Sequence, residues 1–236
     1  MDALIFDYDG VVLDSEPYHY EGFERILKQF EIKIPADIYA DRYLGLTDFD
    51  GFRKIFEDYD RLDQLENINS LVLQKTEIVQ NLIKNHATAI PGTVEMIKSA
   101  VENKIPIAIC SGALRDEVKI GAETLGILDH FPIIVSAEDV QQGKPDPEGY
   151  IKTCKLLSEK VGKKISPDRC VVCEDSPAGT AAANSAGMRV CGLATSYAKH
   201  ELPLADIVVE NLSEISIDQL SELINSTSSE AKTADI

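Results

Sequence analysis

The stretch Ala3-Leu4-Ile5-Phe6-Asp7-Tyr8-Asp9-Gly10-Val11-Val12-Leu13-Asp14-Ser15 decides how the chain is read. A short apolar run stops abruptly at two carboxylates spaced two apart, and a glycine follows. The run has the length and composition of a buried strand closed by a turn. At the carboxyl end of a central parallel strand, side chains face the crevice in which α/β proteins bind ligands. In an extended chain Asp7 and Asp9 would point the same way. A bend after Asp7, for which Gly10 supplies the backbone freedom, lets one act as a nucleophile and the other as a proton donor and acceptor. Taken alone, Asp-x-Asp-Gly is more simply a turn with capping carboxylates. The pieces downstream decide otherwise.

Beyond Asp14 the apolar residues Tyr20, Phe23, Ile26, Leu27 and Phe30 recur at helical spacing. Helical patterns continue over 38–44, 49–59 and 62–83, so residues 16–86 read as a mostly helical insertion. From Ala89 onward strand and helix alternate. Pro91 is expected in the first turn of a helix over 91–103. Strands are expected over 105–110, 133–135, 170–173, 189–193 and 207–209. Helices are expected over 114–125, 147–161, 177–186 and 217–224. Repeated strand–helix units mean a parallel sheet covered on both faces. The fold expected is α/β, a Rossmann-like parallel-sheet core over 1–15 and 87–225 interrupted by the helical insertion over 16–86. A polar, flexible tail is expected over 226–236.

The chain has 236 residues, 44% of them hydrophobic, enough for one sizeable core with an insertion. Forty acidic against 23 basic residues give a net charge of -17, which argues against binding nucleic acid or an anionic membrane. An anionic substrate would then need a metal ion or a local cluster of basic side chains. No run is apolar enough to span a membrane and no signal segment opens the chain, so a cytoplasmic protein, monomer or homodimer, is the expectation. The five cysteines, Cys110, Cys154, Cys170, Cys173 and Cys191, are expected as reduced thiols, mostly in the core. Cys170-Val171-Val172-Cys173 spells Cys-x-x-Cys, but within a strand positions three apart face opposite sides, which favours packing over redox or zinc chemistry.

Four segments each follow an expected strand or the loop after one: Asp7/Asp9, Ser111 with Gly112, Lys144, and Glu174/Asp175. In a doubly wound sheet all four meet at one edge. Clustered carboxylates repel one another unless a hard cation sits among them, and oxygen ligands of this kind suit Mg²⁺. A metal beside a lysine and a small hydroxyl would bind a phosphoryl group and neutralise its charge during transfer. Singly, each segment has a plainer reading: Ser111-Gly112 as a turn or helix cap, Lys144 as a solvated loop lysine, Glu174-Asp175-Ser176-Pro177 as a helix N-cap. All four in order at strand ends favour the joint reading.

The segments FDYDGVVLDSE, CSGA, GKPDPEGY and CEDSPAGTAAANSAGM resemble the four motifs of the haloacid dehalogenase superfamily, most closely its phosphatase and β-phosphoglucomutase branch. The likeness runs along the core, and the helical insertion corresponds to that branch's cap domain. The resemblance implies Asp7 as the nucleophile that becomes an aspartyl phosphate and Asp9 as general acid and base. Ser111, Gly112 and Lys144 would hold the phosphoryl group. Asp7, the Asp9 carbonyl, Glu174 and Asp175 would organise Mg²⁺. The second aspartate narrows the branch, since dehalogenases in the superfamily lack it.

The cap carries less. His19 lies where the mutase has a histidine that couples cap closure to acid–base positioning, and a surface histidine is the equal alternative. Lys75 is expected on a solvated helix face, with a match to a cap lysine of the mutase as the other reading. Ser15 either touches substrate near the hinge or caps the helix after it. Where the mutase presents an arginine to a distal phosphate, this chain has Asp48. The expectation is therefore a Mg²⁺-dependent phosphatase of small phosphorylated metabolites, with sugar phosphates the class implied. A phosphosugar mutase is the second reading and a non-catalytic binding relative the third.

Overall fold

The computed structural model describes residues 1–225, so the tail expected over 226–236 lies outside the described residues. Six strands are formed by Ala3–Phe6 (β1), Ile107–Cys110 (β2), Ile134–Val135 (β3), Cys170–Glu174 (β4), Arg189–Leu193 (β5) and Ile207–Val209 (β6). They make one sheet in the order β3-β2-β1-β4-β5-β6, and every neighbouring pair is parallel. β1 pairs Phe6 with Ile109 on one side and with Cys173 on the other. The chain adds β2 and β3 on one side of β1 and then returns to build β4, β5 and β6 on the other. The order therefore reverses at β1, and the crevice beyond its carboxyl end is where such folds hold ligands.

β1 and β4 are buried along their whole length. Strands covered on both faces need unbroken apolar sequence rather than alternation, which is why these segments read as short apolar runs. The helices Thr93–Glu102 (α5), Arg115–Thr124 (α6), Glu148–Val161 (α7), Pro177–Ser185 (α8) and Ile217–Glu222 (α9) follow the strands. One core cluster joins Ile5, Ala108, Val135, Tyr150, Leu157, Val172, Ala182 and Val190. All five cysteines are buried and free. Cys170 Sγ meets Cys154 Sγ of α7 at 3.6 Å, while Cys173 hydrogen-bonds Cys191 of the neighbouring strand. The two thiols of the Cys-x-x-Cys thus serve separate packing contacts, as the strand period requires.

Contacts divide the chain into two compact units, Met1–Asp14 with the chain from Ala87 onward, and Ser15–His86. The second unit contains Glu16–Leu27 (α1), Ala36–Arg42 (α2), Asp48–Asp58 (α3) and Ile68–His86 (α4). Its core is aromatic: Phe23 meets Phe52 edge-on at 4.8 Å between ring centres, and Phe30 meets Phe56 at 5.3 Å. Edge-to-face pairs of this kind add about 0.5–1.5 kcal/mol each beyond the area they bury.

Several local expectations are corrected. Pro91 lies ahead of α5, which begins at Thr93 after Gly92, so it does not occupy the first helical turn. The segment expected as helix over 62–83 opens as a 3₁₀ turn, Leu62–Asn67, before α4 starts. Ser15 precedes α1 with helical backbone angles and no side-chain capping bond, so it does not cap. Lys75 is not on a solvated face: its side chain is 0% exposed, bonded to Asp48 at 2.5 Å and 3.0 Å from His19 Nδ1, with its ammonium 4.4 Å from the centre of the Phe23 ring. A charge placed there needs these partners to offset its lost hydration. No helix among the described residues is long and apolar enough to cross a membrane.

Candidate active site

The carboxyl end of β1 runs straight into the site. Asp7 is the residue after the strand, and its N–H donates to the Cys173 carbonyl at 3.0 Å, which ties it to the end of β4. The chain then folds back tightly: the Val12 and Leu13 N–H groups donate to the Tyr8 carbonyl at 2.8 and 2.9 Å, and the Gly10 N–H to the Leu13 carbonyl at 2.8 Å. Gly10 takes a φ of 67°, and a Cβ there would lie 1.9 Å from Asp175 Oδ2. Both the left-handed backbone and the close approach demand glycine. The chain thus bends directly after Asp7, so the extended course that would point Asp7 and Asp9 the same way is not taken.

Lys144, in the loop before α7, places its ammonium 2.9 Å from Asp7 Oδ1 and 2.6 Å from Glu174 Oε1. Glu174, the last residue of β4, also accepts from the Tyr150 hydroxyl at 3.1 Å and from the Ser176 N–H and hydroxyl at 2.9 and 3.0 Å. A Cβ on Gly179 would lie 1.6 Å from Glu174 Oε1, so the first turn of α8 is cut away to admit this carboxylate. Ser176 is the N-cap of α8, its hydroxyl accepting from the Gly179 N–H at 3.0 Å. The capping and site readings of this segment hold together: Ser176 caps, Glu174 and Asp175 face the cluster.

The ligand oxygens of Asp7, Glu174 and Asp175 lie within 4.8 Å of one another, and all three residues are buried. Burial raises Asp7 well above the usual carboxylate range, with the Lys144 charge opposing and the charges of Glu174 and Asp175 reinforcing. Burial also acts on Glu174, but there Lys144 and the Ser176 N–H outweigh it and the net shift is downward. The two neighbouring acids are thus driven in opposite directions, Asp7 upward and Glu174 downward, because Lys144 and the Ser176 N–H serve Glu174 more fully. Burial and the neighbouring Glu174 push Asp175 up to about 7. Burial alone would lower Lys144, yet Asp7 and Glu174 hold its ammonium above the usual lysine range. Three carboxylates with one ammonium are short of positive charge. The donor set is all oxygen, which fits a hard divalent cation.

Ser111 follows β2, buried, with its N–H on the Val135 carbonyl at 2.9 Å and its hydroxyl accepting from the Ala113 N–H at 2.9 Å. It does not cap α6, whose N-cap is Leu114. Gly112 beside it is exposed. The fold thus brings Asp7, Lys144 and Glu174 into direct contact, places an oxygen of Asp175 within 4.8 Å of the other two acids, and sets Asp9 and Ser111 on strand-end loops at the same edge. Ser15, His19 and Lys75 belong to the helical unit. Tyr150 and Gly179 join the site without having been marked by the strand-end pattern. Ser176 follows the two acids directly and was legible as a cap, whereas nothing local marks Tyr150.

The family described as haloacid dehalogenase-like hydrolase matches residues 4–193, which bears out the resemblance read from the four motifs. The chain is 30% identical to a phosphorylated carbohydrates phosphatase of Thermotoga maritima over 83% of its own length and 87% of that protein's. It is 28% identical to the β-phosphoglucomutase of Bacillus subtilis, covering 94% of this chain and 95% of the other. Among solved structures, a β-phosphoglucomutase of Clostridium difficile superimposes with a TM-score of 0.79 at 25% identity, covering 95% and 97% of the two chains.

Proposed function

Because the chain belongs to the haloacid dehalogenase-like hydrolases, we propose that it is a Mg²⁺-dependent phosphatase of small phosphate monoesters, with sugar phosphates as the substrate class. One observation carries this reading: three buried carboxylates converge within 4.8 Å at the end of the central strands, with Lys144 bridging two of them. Asp7, the Asp9 carbonyl, Glu174 and Asp175 are assigned as the groups that would hold the metal. Bound there, Mg²⁺ would supply charge neutralisation and polarise the phosphoryl oxygens.

The residues of the chain carry the steps. Asp7 attacks phosphorus, the ester P–O bond breaks, and Asp9 gives its proton to the departing alkoxide. Asp9 then takes a proton from water as that water attacks the aspartyl phosphate, which releases inorganic phosphate and restores Asp7. Lys144, Ser111 and the Gly112 backbone are assigned to the phosphoryl oxygens, where cations and N–H donors count most as charge develops. Substrate choice is assigned to the helical unit, with Ser15, His19 and Lys75 as the residues to vary.

A phosphosugar mutase is the second reading, supported by the β-phosphoglucomutases among the relatives. Against it stands Asp48, which the resemblance sets where the mutase has its phosphate-binding arginine, and which forms an ion pair with the buried Lys75. The test supplies a panel of sugar phosphates, including β-glucose 1-phosphate with a trace of glucose 1,6-bisphosphate, in Mg²⁺ and in EDTA. Free phosphate from several esters, lost with EDTA and with Asp7→Asn, is the expected result. Glucose 6-phosphate forming faster than free phosphate would replace the phosphatase reading with the mutase. Neither product from folded protein would point to a binding function.

A further inference from the structure

The turn after β5 reaches the same edge of the sheet, just past residue 193, where the family match ends. Thr195 Oγ1 donates to the Gly10 carbonyl at 2.6 Å and stands 3.5 Å from Asp175 Oδ2. A hydroxyl has one proton to give, and the shorter contact takes it. The Asp175 carboxylate instead accepts from the Ser196 hydroxyl. Ser196 Oγ and Asp175 Oδ2 would lie 2.8 and 1.9 Å from a Cβ on Gly10, so turn, acid and catalytic loop are closely packed. The turn is fastened at both ends, the Ala194 N–H on the Val209 carbonyl at 2.8 Å and the Ala198 N–H on Glu201 Oε2 at 3.0 Å.

We propose that Thr195 and Ser196 are positioning residues for the metal site: Ser196 orients the Asp175 carboxylate, and Thr195 holds the Asp9–Gly10 loop against it. The inference rests on the Mg²⁺ reading above. A carboxylate turns about two side-chain torsions, and in the observed orientation an Asp175 oxygen lies within 4.8 Å of those of Asp7 and Glu174. A hydroxyl donor on a fastened turn selects that orientation before the cation arrives. The loop is held in the same way, since its Gly10 carbonyl has no partner in a regular strand ladder and Thr195 supplies one. Outer partners of this kind typically govern about 10–100-fold in metal affinity.

The probe is Mn²⁺, titrated into purified full-length protein and followed by the electron paramagnetic resonance of the free ion, with thermal unfolding as a check on folding. Ser196→Ala and Thr195→Val are each expected to weaken Mn²⁺ binding about 10-fold or more. Thr195→Ser, which keeps the hydroxyl, is expected within about 2-fold of the parent. Mn²⁺ affinity unchanged in folded Ser196→Ala and Thr195→Val would overturn the proposal and leave the metal site standing. Thr195→Ser as weak as Thr195→Val would also overturn it, since the hydroxyl would not be the operative group. No Mn²⁺ uptake by the parent protein would overturn the metal reading and this inference with it.

Discussion

Glu174 is the most heavily partnered side chain of the site, held by Lys144, Tyr150 and Ser176 and accommodated by the missing Cβ of Gly179. Each partner offsets part of the cost of burying a charge that would otherwise be expelled or protonated. Gly179→Ala puts a methyl group 1.6 Å from Glu174 Oε1, which displaces either the carboxylate or the start of α8. We expect a loss of about 1–3 kcal/mol of stability from overpacking, together with weaker Mg²⁺ binding. Urea unfolding in EDTA reads the first and calorimetric titration of Mg²⁺ the second. A variant as stable as the parent would mean that the carboxylate has room to turn away. At this scale the sequence was informative where chemistry sits in adjacent residues, as with Glu174, Asp175 and Ser176. It was silent on Tyr150, 24 residues away on α7.

Among the elements, α3 ends on an acid, although the carboxyl end of a helix disfavours negative charge. Asp58 is tolerated there because Tyr43, Lys54 and Arg42 reach it at 2.9, 2.6 and 2.9 Å. Partial burial raises its pKa, but the hydrogen bonds from Lys54 and Tyr43 and the Arg42 charge win, and the net shift is below 3.8. A carboxylate with a depressed folded-state pKa stabilises above its unfolded value, and that stability is lost as pH falls through the folded value. Asp58→Asn is therefore expected to cost about 1 kcal/mol at pH 7 and at pH 5. The gap from the parent should close below about pH 4, near the unfolded carboxylate value. Urea midpoints at pH 7, 5 and 3 check this, and a gap constant down to pH 3 would rule out the ionised carboxylate as its source. Lys75 shows the same logic in reverse. Its spacing puts it in line with Ile68, Leu71, Val79 and Leu82 on the buried stripe of α4, but its charge argued for solvent, and what makes burial tolerable is Asp48 and the Phe23 ring, from other helices.

Across the whole molecule, two units carry separate cores, one organised on the sheet and one on the aromatic cluster of α1 and α3. Phe52 is fully buried in the second. Phe52→Ala is expected to remove about 3–5 kcal/mol of packing, concentrated in residues 15–86. Hydrogen exchange should quicken across α1, α3 and α4 while the amides of β4 stay protected, since opening free energies differ between cooperative regions. Equal acceleration in both units would show that they unfold as one. The sequence by itself determined the succession of strands and helices to within a few residues, the inserted helical stretch, the family and the six residues from Asp7 to Asp175 on which the chemistry is assigned. The elements rest on local patterns, apolar runs and helical periodicity, while the family and the residue roles rest on the resemblance of the four motif segments. Only the tertiary structure decided that Lys75 is buried, that Ser15 and Ser111 do not cap helices, that Tyr150 supports Glu174, and that Thr195 and Ser196 reach Gly10 and Asp175. Tyr150, Thr195, Ser196 and Lys75 find partners far away in sequence, which no short window contains, while the two serines turn on the local backbone course that the packed fold imposes.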